Sequence, residues 1–86
     1  MSASSETTVV LPVALHARPA GKVVQAAARF EAQVEIGYRD RVANARGVLG
    51  LMGLGATAGA AVTLRATGAD AAAAVEAVAA VLTSAS

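Results

Sequence analysis

A chain of 86 residues has room for one small domain, so residues 1–86 are expected to fold as a single unit. Its 56% hydrophobic content includes one Tyr, one Phe and no Trp, which leaves Val, Leu, Ile and Ala to build a thin core of modest stability. A net charge of +1 on scattered Lys and Arg excludes a general nucleic-acid grip, and the absence of cysteine excludes a disulfide framework and any Cys-held metal site.

The opening stretch MSASSETT is polar and lacks the basic and apolar regions of a signal peptide. No apolar run reaches the roughly 18 residues of a membrane span, because Glu76 interrupts the longest alanine-valine stretch. A cytoplasmic location without membrane insertion is the expectation. Residues 7–11, TTVVL, are β-branched and apolar, and Pro12 stops them, which predicts a strand. From Ala17 the period becomes helical. Ala20, Val23, Val24 and Ala27 fall at i, i+3, i+4 and i+7, Phe30 extends the stripe, and Lys22, Gln25 and Arg29 take the opposite face.

QVEIGY, residues 33–38, alternates as a half-buried strand with Val34, Ile36 and Tyr38 on one side. Arg39-Asp40 makes a tight turn, and RVANA, 41–45, returns as a second strand. Gly47, Gly50 and Gly53 recur at every third position, and each costs a helix interior about 1 kcal/mol. A helix there is short and depends on tertiary packing. AVTLRAT, 61–67, alternates again, with Val62, Leu64 and Ala66 on one face; Gly68 turns the chain. Asp70 is a suitable N-cap for a last helix, whose stripe is Ala71, Ala74, Val75, Val78, Val81 and Leu82. The order β-α-β-β-α-β-α predicts an α+β fold, a four-stranded antiparallel sheet with helices on one face.

His16 is the only histidine, and a single histidine can be an ordinary surface residue. Its neighbours suggest chemistry. Arg18 supplies a permanent cation able to pair with phosphate in two-pronged fashion. Pro19 suits a first helical turn, where its missing N–H costs nothing. The unpaired N–H groups of that turn and the helix dipole make an anion site beside the imidazole. Neutral imidazole is a good nucleophile near neutral pH, and a phosphorylated ring nitrogen passes its group on readily. Other arrangements are thin. One His without Cys cannot form a zinc cluster, and the six carboxylates, Glu6, Glu31, Glu35, Asp40, Asp70 and Glu76, are dispersed without an acid/base pair. GVLG at 47–50 formally matches the RNA-binding GXXG loop, but only Arg46 is near it and no aromatic is. VLGLMGL, 48–54, reads either as core beneath a bend or as an apolar docking patch of Val48, Leu49 and Met52.

LHARPA, residues 15–20, resembles the phosphorylation motif of the HPr family, the histidine-containing phosphocarriers of the bacterial sugar phosphotransferase system. GLMGLGATAGAAVTL and GADAAAAVEAV resemble that family's second-helix, final-strand and last-helix regions, so the likeness runs through essentially the whole chain. The resemblance implies an HPr-like open-faced β-sandwich of strand order 1-4-2-3 with three helices on one side. It implies a phosphoryl carrier, not an enzyme, that needs no cofactor or metal and works as a monomer. His16 would accept the phosphoryl group on Nδ1 from phospho-enzyme I and deliver it to the IIA domain of a sugar permease. Arg18 would stabilise the phosphate with the backbone N–H groups of Ala17 and Arg18. Val48, Leu49 and Met52, with Arg46 and the first helix, would form the shared docking face for both partners, and no nucleic acid would be involved.

Two positions depart from the family pattern. The regulatory serine before the second helix is replaced by Gly47, so control through a serine phosphate is not expected at that site. Ala14 stands where the family usually has glycine, and a left-handed backbone there would strain it by about 1 kcal/mol. A carrier of a nitrogen-related or dihydroxyacetone-related branch, or a binding-only regulatory module, is the alternative reading.

Overall fold

The computed structural model of the protein describes residues 3–85. Strand β1 (Ser4–Val10) leads to helix α1 (Ala17–Ala27), strands β2 (Gln33–Tyr38) and β3 (Arg41–Asn44), helix α2 (Val48–Gly53), strand β4 (Ala61–Thr67) and helix α3 (Ala71–Thr83). The sheet is antiparallel with order β1-β4-β2-β3. The expected α+β architecture is present.

Alternation decides which face of the sheet is buried. Val9 pairs with Val62, Ile36 with Leu64 and Val34 with Ala66, and all six are buried beneath the helices. Ala20, Val23 and Ala27 of α1 and Ala74, Val75, Val78 and Leu82 of α3 close this layer from the other side. Alanine is the commonest residue in the core, and neither aromatic is fully buried. Small side chains let the helices lie close to the sheet, but each buries little area.

The opposite face has no helix over it. Glu6, Arg65, Glu35 and Asn44 line up across the four strands in one row. Arg65 pairs with Glu6 at 3.0 Å. Both groups are exposed, so this ion pair contributes roughly 0–1 kcal/mol.

The strand and helix boundaries differ from the pattern-based reading in small ways. β1 begins at Ser4, three residues early, because pairing with β4 carries the polar start of the chain into the ladder. Leu11 leaves the strand, although it remains buried and its N–H donates to the Ala60 carbonyl at 2.9 Å. Phe30 lies beyond the end of α1, and it, Val24 and Val81 are only half-buried against the core. Arg39 occupies the left-handed region at φ 56°, and its guanidinium lies 5.1 Å from the centre of the Tyr38 ring. β3 stops one residue short of Ala45, whose N–H donates to Val34.

Asp70 precedes α3 as expected, but its side chain caps no α3 donor. Its carboxylate instead accepts from the backbone N–H groups of Glu31 at 3.0 Å and Ala32 at 2.8 Å, closing the turn that enters β2. Those two donors hold its carboxyl below the usual carboxylate range. Gly68 permits the approach. It sits at φ 142°, and a Cβ there would lie 2.8 Å from the Ala32 Cα.

Candidate functional site

The connection from β1 to α1 is pinned on either side of a short exposed stretch. Leu15 is buried, and its N–H donates to the Ala56 carbonyl at 3.0 Å. Pro19 and Ala20 are buried at the other end. Between them His16, Ala17 and Arg18 face solvent. His16 is the N-cap residue, extended at φ −88° and ψ −169°, and its carbonyl receives the Ala20 N–H at 2.9 Å. The imidazole makes no capping hydrogen bond, so its ring nitrogens stay uncommitted.

A helix leaves its first N–H groups without intrahelical acceptors. Here Ala17 and Arg18 supply two such donors, neither of which meets an acceptor among the described residues. Pro19, the third helical residue, has no N–H to add. The Arg18 guanidinium is exposed and forms no hydrogen bond or ion pair among the described residues. One imidazole, two backbone donors and one free cation therefore meet at the positive end of the α1 dipole. Such an end favours an anion by about 0.3–1 kcal/mol, and up to 2 in favourable geometry. Ala14 is half-buried and outside the left-handed region, so the strain considered for alanine at that place does not arise.

The docking candidates are distributed by α2. Leu49 is 84% exposed and Met52 40%, whereas Leu51 between them is fully buried. Val48 is half-buried against the core. This short helix is held by Leu51 underneath and by Arg41, whose Nη1 donates to the Gly53 carbonyl at 2.8 Å. A cation at a helix C-terminus is favourably placed. Gly47 is the α2 N-cap residue, and its N–H donates to the Asn44 carbonyl at 3.0 Å.

Two hydrogen bonds show how α2 lies relative to α1. Leu15, before α1, is joined to Ala56, after α2. Arg46, before α2, donates from its guanidinium to the carbonyl of Phe30, after α1. The two helices thus run roughly antiparallel, and Met52 stands toward the His16 end. Arg46 stands at the far end with its guanidinium turned to the Phe30 carbonyl, so the structure does not gather it with the other three. Sequence reasoning missed the Leu15–Ala56 tether, the Arg41 cap and the Asp70 clamp. All three are long-range contacts with no local signal.

These features describe a small open-faced sandwich that presents one uncommitted histidine at the mouth of its first helix. The family profile described as "PTS HPr component phosphorylation site" matches residues 3–84. The chain belongs to the HPr family, phosphocarriers of the phosphotransferase system and not enzymes in their own right. It is 38% identical over 80 residues to the phosphocarrier protein HPr of Lysinibacillus sphaericus, covering 93% of this chain and 91% of the relative. Among solved structures it is similar to HPr of Bacillus anthracis, with a TM-score of 0.87, 35% identity and coverage of 94% and 99% of the two chains. It is also similar to Crh, the Bacillus subtilis catabolite repression HPr, with a TM-score of 0.78 and 36% identity over 98% of this chain and all of that one.

Proposed function

We propose that the protein takes a phosphoryl group onto Nδ1 of His16 from phospho-enzyme I and hands it to the IIA domain of a sugar permease. The observation that carries this reading is the meeting of an uncommitted imidazole with two acceptor-free N–H groups and a free guanidinium at the start of α1. In the charging step the Nδ1 lone pair forms the new bond to phosphorus. The donor's bond to phosphorus breaks, and its electron pair leaves with the donor. The proton of neutral His16 stays on Nε2. The N–H groups of Ala17 and Arg18 and the Arg18 guanidinium receive the phosphoryl oxygens, and discharge runs the same step in reverse toward the acceptor.

Leu49 and Met52 supply the apolar part of the docking face, with Val48 beneath them. The guanidinium of Arg46 is held at the Phe30 carbonyl, so this side chain contributes at the margin of that face. Gly47 has no hydroxyl, which removes serine phosphorylation as a control at the start of α2. Every group invoked belongs to one chain, which supports action as a monomer. Among the described residues no helix is long and apolar enough to cross a membrane. A cytoplasmic location is part of the proposal, since it is where the proposed donor would be met.

The test is incubation with phosphoenolpyruvate and enzyme I, followed by intact mass before and after mild acid. The expected result is one acid-labile phosphoryl group on the protein and none on His16→Ala. Stoichiometric charging of His16→Ala would overturn the assignment.

A further inference from the structure

The uncovered face of the sheet holds two residues whose types the fold does not require. Gly37 lies inside β2, where glycine weakens a strand. Its backbone has no need of glycine: φ is not positive, and a Cβ there would meet its neighbours no closer than 3.7 Å. Arg39, two residues on, takes a left-handed φ of 56° that glycine or asparagine adopts more readily. Both line one depression of about 260 Å³, together with Glu35, Val42, Thr63 and Arg65.

Charge is arranged antisymmetrically about Gly37. Glu35 stands two residues before it and Arg39 two after, and both are exposed. Strand geometry sets their Cα atoms about 13 Å apart, and neither is in an ion pair among the described residues. The nearest cation across the ladder from Glu35 is Arg65, which is held by Glu6 instead. Apolar surface is present too. Val42 is 66% exposed on this face and Val10 is exposed at its end, whereas the other exposed large apolar side chains, Leu49 and Met52, belong to the α2 patch.

We propose that this face receives the same face of a second copy, the two sheets stacked about a two-fold axis that lies between them and crosses β2 at Gly37. An axis across the strands reverses their direction. Glu35 of each copy then stands over Arg39 of the other, with Val42 over Val42 and Thr63 over Thr63. The bare backbone at Gly37 gives these long side chains room to lie flat and meet. Stacked sheets cross at about 30°, an offset that side chains of this length span. An axis along the strands would set Glu35 over Glu35 and Arg39 over Arg39, and like charges disfavour it. The helices of both copies face outward with His16, so each copy keeps its own complete site, and the pairing does not rest on the carrier reading. Strand spacing and rise make the face roughly 14 by 20 Å, a plan area of about 300 Å². Each partner of a standard stable complex buries about 800 Å². The pair is therefore weak and forms at high concentration.

The experiment is sedimentation equilibrium of the full chain from roughly 10 μM to roughly 2 mM, at low and high salt, with amide chemical shifts followed over the same range. The natural chain should associate reversibly and less at high salt, with shifts confined to the outer-face residues of the sheet. E35R and R39E should each weaken association about tenfold, since like charges then face each other. An equimolar mixture of these two variants should associate as the natural chain does, because each supplies the charge that the other lacks. The E35R/R39E double variant should do the same. Urea unfolding checks that every variant folds; E35Q and R39Q, each expected to weaken association about threefold, replace any that does not. A natural chain that stays monomeric at the highest concentration would overturn the proposal. So would association that both single variants retain, or that mixing fails to restore. Shifts confined to α2, or a dimer that exchanges subunits only over hours, would also overturn it, and would assign self-association to the α2 patch or to an exchanged strand.

Discussion

His16, Ala17 and Arg18 show how much a site can owe to what is left unpaired. The ring, two N–H groups and the guanidinium remain free because buried Leu15 on one side and Pro19 with Ala20 on the other hold the backbone in their place. Arg18→Ala should fold as the natural chain does, since its exposed guanidinium makes no hydrogen bond or ion pair among the described residues, but charge and discharge more slowly; rapid-quench transfer rates check this. Gly68 is the opposite case, a residue with no chemistry and a strict requirement. A side chain there meets both a left-handed φ of 142° and the Ala32 backbone. Gly68→Ala should lose about 2–4 kcal/mol in urea unfolding. A loss below about 0.5 kcal/mol would mean that the turn relaxes freely.

At the level of the element, α2 turns neighbouring residues to opposite purposes. Leu51 is enclosed and Leu49 is almost fully exposed. Leu51→Ala should cost about 2–5 kcal/mol of stability. Leu49→Glu should leave stability within about 0.5 kcal/mol while raising KM for the phosphoryl donor; marked unfolding of that variant would show Leu49 to be core. The glycine spacing of 47, 50 and 53 correctly indicated a short helix in need of tertiary support, but nothing in it distinguished patch from core. That distinction depends on what lies underneath, and sheet packing decides it. The site was legible because its signal is local: His16, Arg18 and Pro19 lie within four residues, where helix-start chemistry applies directly. The placement of Arg46 was not legible, because its guanidinium is turned by a carbonyl sixteen residues away in the chain.

For the molecule as a whole, the strands were readable from alternation, and the sheet order could be named only through family likeness. Asp70 shows where local reasoning ends. The residue type and position suggested a helix cap, yet its carboxylate spans 38 residues to close the entry to β2. Its carboxyl is lowered in the fold, mainly by the Glu31 N–H and then by that of Ala32. The stabilisation is therefore complete above the ordinary carboxylate pKa and is lost as pH falls through the lowered value. Thermal melts of the natural chain should show this acid-side decline. Asp70→Asn should melt lower at neutral pH and show less of it. An unchanged profile in Asp70→Asn would place the acid sensitivity in other carboxylates.

The openness of the His16 loop also sets a clock. A phosphoryl group on a ring that faces bulk water is as reachable by water as by the next protein. No lid covers the ring among the described residues, so in the proposed role the charged form should decay at about the rate of a free phosphoimidazole. The protein would then be a conveyor and not a reservoir. Flux through it would have to outrun spontaneous hydrolysis, and any charge left waiting would simply be lost.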